Sequence, residues 1–214
     1  MKMEGKIVMN QKMKQLRAVG LFTMVASASL AVPAQATIYM NYHTSPTPYF
    51  MGVGAGSTKP GTGVVTWTCD DTTSQNWSLQ NAESGFNNQT YYQLVSAEPA
   101  QQQLCLALAA AHTTEGTQAI TWMCSPSPTQ DEFWSPVQVA DDAHGNPCYY
   151  FQNELATQRN YSGTGVVTPW VLGVAGGTPG LGTELVIWPW QGFYVGSNQV
   201  WCDIGPTCGS YYGK

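Results

Sequence analysis

The sequence predicts an all-β, disulfide-stabilised domain assembled from three similar units, and three observations carry that prediction. Charged residues make up only 10% of the chain, while Gly, Thr, Gln, Asn, Trp and Tyr are plentiful, a composition suited to short strands joined by many turns. Only Gln102 to Ala111 approaches the 3.6-residue rhythm of an amphipathic helix. An even set of six cysteines lies downstream of a leader-like segment. One ordered set of features also recurs three times between residue 37 and the end of the chain.

The leader comes first. Lys12, Lys14 and Arg17 precede an apolar stretch from Ala18 to Val32, and Ala34-Gln35-Ala36 has the small-x-small form of a cleavage site. The apolar stretch is short and interrupted by Ser and Thr, so it predicts a signal peptide over residues 1–36 rather than a membrane span. The expected location is therefore secreted, extracellular or periplasmic, in a bacterial cell. Cleavage leaves three basic residues, Lys59, Arg159 and Lys214, against twelve acidic ones, a formal charge of −9. So acidic a surface repels phosphate backbones and anionic lipid, which argues against nucleic-acid and membrane-surface partners.

All six cysteines (Cys69, Cys105, Cys124, Cys148, Cys202, Cys208) fall within 37–214, as expected of disulfides formed in an oxidising compartment. They permit about fifteen connectivities. No CxxC pair or His cluster accompanies them, so neither a structural zinc nor any other cofactor is expected.

The repeats divide the domain at about 37–88, 89–145 and 146–214. The first contains Pro48 to Val53, a Gly/Thr/Pro turn, Val64-Val65-Thr66-Trp67-Thr68-Cys69, and Ser74-Gln75-Asn76-Trp77. The second contains Leu104 to Leu108, a turn with Glu115-Gly116, Ala119-Ile120-Thr121-Trp122-Met123-Cys124, and Asp131-Glu132-Phe133-Trp134. The third contains Trp170 to Val174, a Gly/Pro turn, Leu185-Val186-Ile187-Trp188-Pro189-Trp190, and Asn198-Gln199-Val200-Trp201. A further strand opens each unit: Thr37 to Tyr42, Thr90 to Val95, and Cys148 to Gln152. Four strands in each of three units predict a closed, pseudo-threefold β-trefoil, in which closure removes exposed strand edges.

The Trp-x-Cys step and the recurring Gln-x-Trp tripeptide resemble the ricin-type β-trefoil lectins, also called family-13 carbohydrate-binding modules. The signature stands intact at Gln75-Asn76-Trp77 and Gln199-Val200-Trp201, and departs to Glu132-Phe133-Trp134 in the second unit. The resemblance covers nearly all of 37–214. It implies a Cys105–Cys124 bond within the second repeat. Cys202 and Cys208, close together around Gly205-Pro206, suggest a local loop closure, which leaves Cys69 with Cys148 by elimination.

The resemblance also implies glycan binding, in which an aromatic ring stacks on a sugar face and planar polar groups select its hydroxyls. Family members that bind sugar carry an Asp at the positions of Gly52, Ala107 and Gly173, and none of these holds a carboxylate here. The third repeat ranks first as a carbohydrate site, with Asn198, Gln199, Trp188 and Trp190, and with Phe193 and Tyr194 adding ring area. The second offers Trp122 and Asp131. The first offers Trp67 and Gln75, with Asp70 and Asp71 in the intervening loop.

Each of these residues also has a plain packing role to fill. Trp77, Trp134 and Trp201 suit a core better than a ligand face. Gln75 and Gln199 suit buried backbone partners as well as sugar hydroxyls. Trp67, Trp122 and Trp188 divide evenly between core and platform.

Catalysis is not expected. His43, His112 and His144 stand alone, and Asp70-Asp71, Asp131-Glu132 and Asp141-Asp142 are sequence neighbours that a strand would send to opposite faces. The leading expectation is a non-catalytic lectin-like protein binding glycans or glycoconjugates. The alternative is a protein-binding subunit with degenerate sugar sites, similar to the ricin-like subunits of cytolethal distending toxins.

Overall fold

The computed structural model describes residues 35–42, 47–127, 129–163, 165–194 and 197–212, so the predicted leader (except Gln35 and Ala36) and His43 lie outside the described residues. Among the described residues twelve strands follow in chain order, four to a repeat. The first repeat holds β1 (Thr37–Asn41), β2 (Phe50–Val53), β3 (Thr62–Trp67) and β4 (Asn76–Ser84). The second holds β5 (Thr90–Ser96), β6 (Leu104–Leu108), β7 (Ala119–Met123) and β8 (Phe133–Asp141). The third holds β9 (Pro147–Asn153), β10 (Trp170–Val174), β11 (Thr183–Pro189) and β12 (Trp201–Asp203).

The outer strands of the repeats close a ring. β1 pairs with β4, β4 with β5, β5 with β8, β8 with β9, β9 with β12, and β12 returns to β1, every pair antiparallel. The inner strands form three hairpins, β2–β3, β6–β7 and β10–β11. Strand β3 joins β7 and β11, and a bridge from Gln118 to Val186 closes the hairpin triangle. This is the predicted β-trefoil, with all-β architecture and three disulfides.

Period-2 alternation explains why these segments pack inward. One core cluster takes matching residues from each repeat: Tyr39, Leu94 and Phe151 from the first strands; Met51, Leu106 and Leu172 from the second; and Val64, Ala119 and Leu185 from the third. Trp77, Trp134 and Trp201 complete the set, fully buried. Their indole N–H groups donate to the carbonyls of Met51, Leu106 and Leu172 at 3.2, 2.9 and 3.1 Å. Each terminal Trp thus bolts its ring strand to its own hairpin, the core role predicted for it.

The disulfides correct two of the three expected pairings. Cys105–Cys124 joins β6 to the end of β7 as the resemblance implied. Cys202 pairs with Cys148 rather than with Cys208, because β12 lies directly against β9 with Cys202 opposite Cys148. Cys208 pairs with Cys69 instead of leaving Cys69 to Cys148. The chain turns at Gly205, whose φ is +85°, and the segment after it runs back to the loop between β3 and β4, where Asp71 accepts the Cys208 N–H. Nearness in sequence failed as a guide because strand pairing, not loop length, aims these thiols.

A short helix, α1 (Glu154–Arg159), interrupts the third repeat between β9 and β10, and Asn153 caps it by accepting the Ala156 N–H at 3.0 Å. Six residues are too few to announce a helical period. The first of them, Glu154, is 2% exposed. Its Oε1 accepts the Phe86 N–H at 2.9 Å and the Gln130 amide at 3.5 Å, while Oε2 has no partner.

Burial foremost pushes the Glu154 carboxyl above its ordinary pKa, against the pull of those two donors. The folded state therefore holds its proton more tightly than the unfolded chain does. The stability this confers is complete below the ordinary carboxylate range and is lost as pH rises through the folded pKa. Glu154→Gln is expected to gain about 1–2 kcal/mol at pH 8, with the advantage shrinking toward pH 4.5. Urea unfolding at both ends of that range checks the sign, and a variant less stable than the parent at pH 8 would refute it.

Candidate functional site

Each repeat carries a Trp at or next to the end of its third strand, and the residue before that Trp accepts a hydrogen bond from a glycine turn of another repeat. The Gly61 N–H donates to the Thr121 carbonyl, Gly116 to Ile187 and Gly182 to Thr66, at 2.6, 3.0 and 2.8 Å. The turn glycines sit at positive φ, +84°, +77° and +72°. A Cβ at Gly182 would stand 3.6 Å from the Trp67 ring, and one at Gly61 would stand equally close to the Trp122 ring, at 3.6 Å. The hairpin tips therefore support two of the three aromatic platforms from below.

In the first repeat Trp67 is 43% exposed and forms one wall of a cavity of about 590 Å³. Gly52, Asp70, Ser74, Gln75 and Glu98 line the remainder. Gln75 is buried and shapes the loop after β3: its Oε1 accepts the Asp70 N–H at 3.1 Å, and its Nε2 donates to the Thr68 carbonyl at 2.8 Å. Asp70 is exposed and holds Thr72 through the backbone N–H (3.1 Å) and the hydroxyl (2.7 Å). Glu98 accepts the Thr73 hydroxyl at 3.2 Å. A Cβ at Gly52 would lie 3.2 Å from Gln75 Cγ, so a side chain at this β2 position would crowd the glutamine. Carboxylates reach the cavity by another route, through Asp70 and Glu98.

In the second repeat Trp122 is 45% exposed, and a smaller cavity of about 270 Å³ lies between it, Asp131 and the turn at Ala110-Ala111. Asp131 is buried and takes the Thr129 hydroxyl. Glu132 replaces the signature Gln. It is buried, and its Oε2 accepts the Ser125 N–H at 3.1 Å and the Gln93 amide at 2.9 Å. Burial pushes its carboxyl above the ordinary range, the two donors pull it down, and the Asp131 charge adds to the rise.

The third repeat keeps its polar residues engaged. Gln199 accepts the Gln191 N–H at 3.1 Å and donates to the Pro189 carbonyl at 3.0 Å, the same bracing that Gln75 provides. Asn198 donates to the Val174 carbonyl at 3.1 Å. Trp188 is half-buried, and Trp190 packs on Tyr150 with ring centroids 4.5 Å apart. Phe193 and Tyr194 are exposed beyond it. Residues 195–196 of this loop lie outside the described residues.

The fold brings Trp67 and Gln75 to one cavity and Trp122 and Asp131 to another, while Asn198 and Gln199 are tied to the Val174 and Pro189 carbonyls. It separates Trp190, which joins the disulfide-lined cluster that includes Cys148 and Cys202. Sequence reasoning missed Glu98, which enters the first cavity from the second repeat, and no local motif announces it.

Comparison with known proteins agrees with this architecture. Residues 46–122 match the family described as ricin-type beta-trefoil lectin domain-like. No curated protein matches the chain. Among solved structures it is similar to the designed threefold-symmetric protein ThreeFoil, with 20% identity and a TM-score of 0.58 over 77% of this chain and 94% of that one. It is also similar to the exo-beta-1,3-galactanase 1,3Gal43A of Clostridium thermocellum, with 18% identity and a TM-score of 0.59 over 79% of this chain but 30% of that one. A third likeness is to the cytolethal distending toxin of Haemophilus ducreyi, at 12% identity and a TM-score of 0.50, covering 81% of this chain and 83% of that one. At these identities the likenesses speak for the fold. Together with the threefold Trp bracing they give the chain the β-trefoil fold, and its residues 46–122 are similar to the ricin-type beta-trefoil lectin domain-like family.

Proposed function

We propose that the protein is a secreted, non-catalytic, carbohydrate-binding lectin-like protein whose principal site is the Trp67 cavity of the first repeat. The observation that carries this reading is an exposed indole beside a cavity of about 590 Å³ that also presents Asp70 and Glu98. A pyranose stacks its C–H face on the indole, and the two carboxylates accept hydrogen bonds from its hydroxyls. Gln75 acts as a positioning residue by fixing the Asp70 backbone. The third repeat, ranked first on sequence, enters as a second site through Trp188 and Asn198. Secretion is supported by the three disulfides, and no helix among the described residues is long and apolar enough to cross a membrane.

A glycan array probed with oxidised 37–214 tests the proposal. Trp67→Ala is expected to weaken the array hits at least tenfold, by loss of about 1.4 kcal/mol or more of stacking. Unchanged binding in Trp67→Ala with loss in Trp188→Ala would move the principal site to the third repeat, and a blank array would overturn the lectin reading. In that last case the exposed Phe193 and Tyr194 favour the second reading, a protein-binding subunit in a toxin-like complex.

A further inference from the structure

The second repeat contains a cavity that its sugar-site geometry does not use. It borders Trp122 but not Asp131, has a volume of about 690 Å³, and has Gln102, Gln103, Trp122, Met123, Ser125 and Glu132 among its lining residues. Two of its walls are open apolar surface, since Trp122 is 45% and Met123 40% exposed. Glu132, in contrast, is only 3% exposed.

Comparison among the repeats shows what is unusual about Glu132. In the first and third repeats the equivalent residue is an amide, and its Nε2 donates to the carbonyl of Thr68 or Pro189, at 2.8 and 3.0 Å. Met123 is the matching strand residue in the second repeat, by the shared hairpin register. An ionised Glu has no proton to give there, because a carboxylate only accepts. Its Oε2 already holds the Ser125 N–H and the Gln93 amide. When ionised, Glu132 leaves the second repeat without this side-chain donor and with one more negative charge than the others. Asp131 lies beside it and adds to that charge, and neither lysine nor arginine is among the groups that act on Glu132.

A buried carboxylate beside an open indole face and a thioether is suited to one ligand chemistry. An ammonium ion supplies three donors, balances the charge, and is attracted by the ring face of Trp122 and by the Met123 sulfur. We propose that this cavity binds a protonated primary amine, with Glu132 as its counter-ion and Trp122 as its aromatic wall. The site is separate from the Trp67 cavity and does not depend on the sugar-binding reading. The amine belongs to an amino sugar or to a lysine side chain, and the two are separable by titration.

Calorimetric titration of oxidised 37–214 with glucosamine hydrochloride and with Nα-acetyl-lysine amide, each beside its N-acetylated neutral counterpart, tests the proposal. The expected result is saturable binding of at least one amine and at least tenfold weaker binding of its neutral counterpart. Glucosamine binding alone assigns an amino sugar, and lysine-amide binding assigns a lysine side chain. Glu132→Gln installs the residue of the other two repeats and should keep the fold while weakening the amine at least tenfold. Trp122→Leu, at an exposed position, should weaken it severalfold. Equal affinity for amine and neutral counterpart, or full amine binding in a folded Glu132→Gln protein, would overturn the proposal, as would no binding of either amine.

Discussion

Replacing Cys69 and Cys208 together by alanine is expected to destabilise the folded protein by about 5 kcal/mol, the largest effect of any single cross-link here. The bond closes a loop spanning 139 residues, against 54 for Cys148–Cys202 and 19 for Cys105–Cys124. Loop-closure entropy grows with the logarithm of the loop, so removing Cys105–Cys124 should cost only about 3 kcal/mol. Position reinforces the difference. Cys69 lies in the first repeat and Cys208 beyond the last strand, so their bond secures the ring where β12 meets β1. Guanidinium unfolding of the double variant, with the other two disulfides intact, measures the effect. A loss under about 1 kcal/mol would mean that the strand pairing at this closure holds without the bond.

Trp201→Ala is expected to cost about 4 kcal/mol, in line with truncation of a fully buried aromatic. The indole is wholly buried, and its N–H holds the Leu172 carbonyl at 3.1 Å, so truncation leaves a cavity and an unpaired acceptor together. Trp201→Phe keeps most of the volume and should cost about 1–2 kcal/mol, which isolates the hydrogen bond and the residual cavity. Trp67→Ala, at an exposed position, should stay within about 0.5 kcal/mol of the parent. Thermal and chemical unfolding of the three variants checks this order. Equal losses at Trp67 and Trp201 would contradict the division between platform and brace on which the proposed sugar site depends.

That division was only half legible beforehand. The six tryptophans of the repeat pattern stand at recurring positions, and the terminal three were rightly assigned to the core. The upstream three could not be sorted, because Trp67, Trp122 and Trp188 occupy the same strand position in similar local sequence. The structure separates them: Trp67 and Trp122 lie against turn glycines of neighbouring hairpins and are exposed, while Trp188 is half-buried. Gln75 and Gln199 likewise presented two roles, and the structure shows them bracing loop and strand backbone.

The sequence by itself determined the architecture: four strands in three units, the ring of terminal tryptophans, and the Cys105–Cys124 bond within a single repeat. The first two depend on alternation and repetition, which a linear chain carries explicitly, while the bond is what the resemblance to ricin-type lectins implied. Only the tertiary structure decided that Cys208 reaches Cys69, that Cys202 faces Cys148, that Glu98 joins Asp70 beside Trp67, and that Glu132 lies at a second cavity. Each of those joins residues from different repeats, or from different segments of one repeat. Their contacts arise when β12 closes on β1 and the hairpins meet, and the register of those pairings, rather than separation along the chain, sets which side chains face one another.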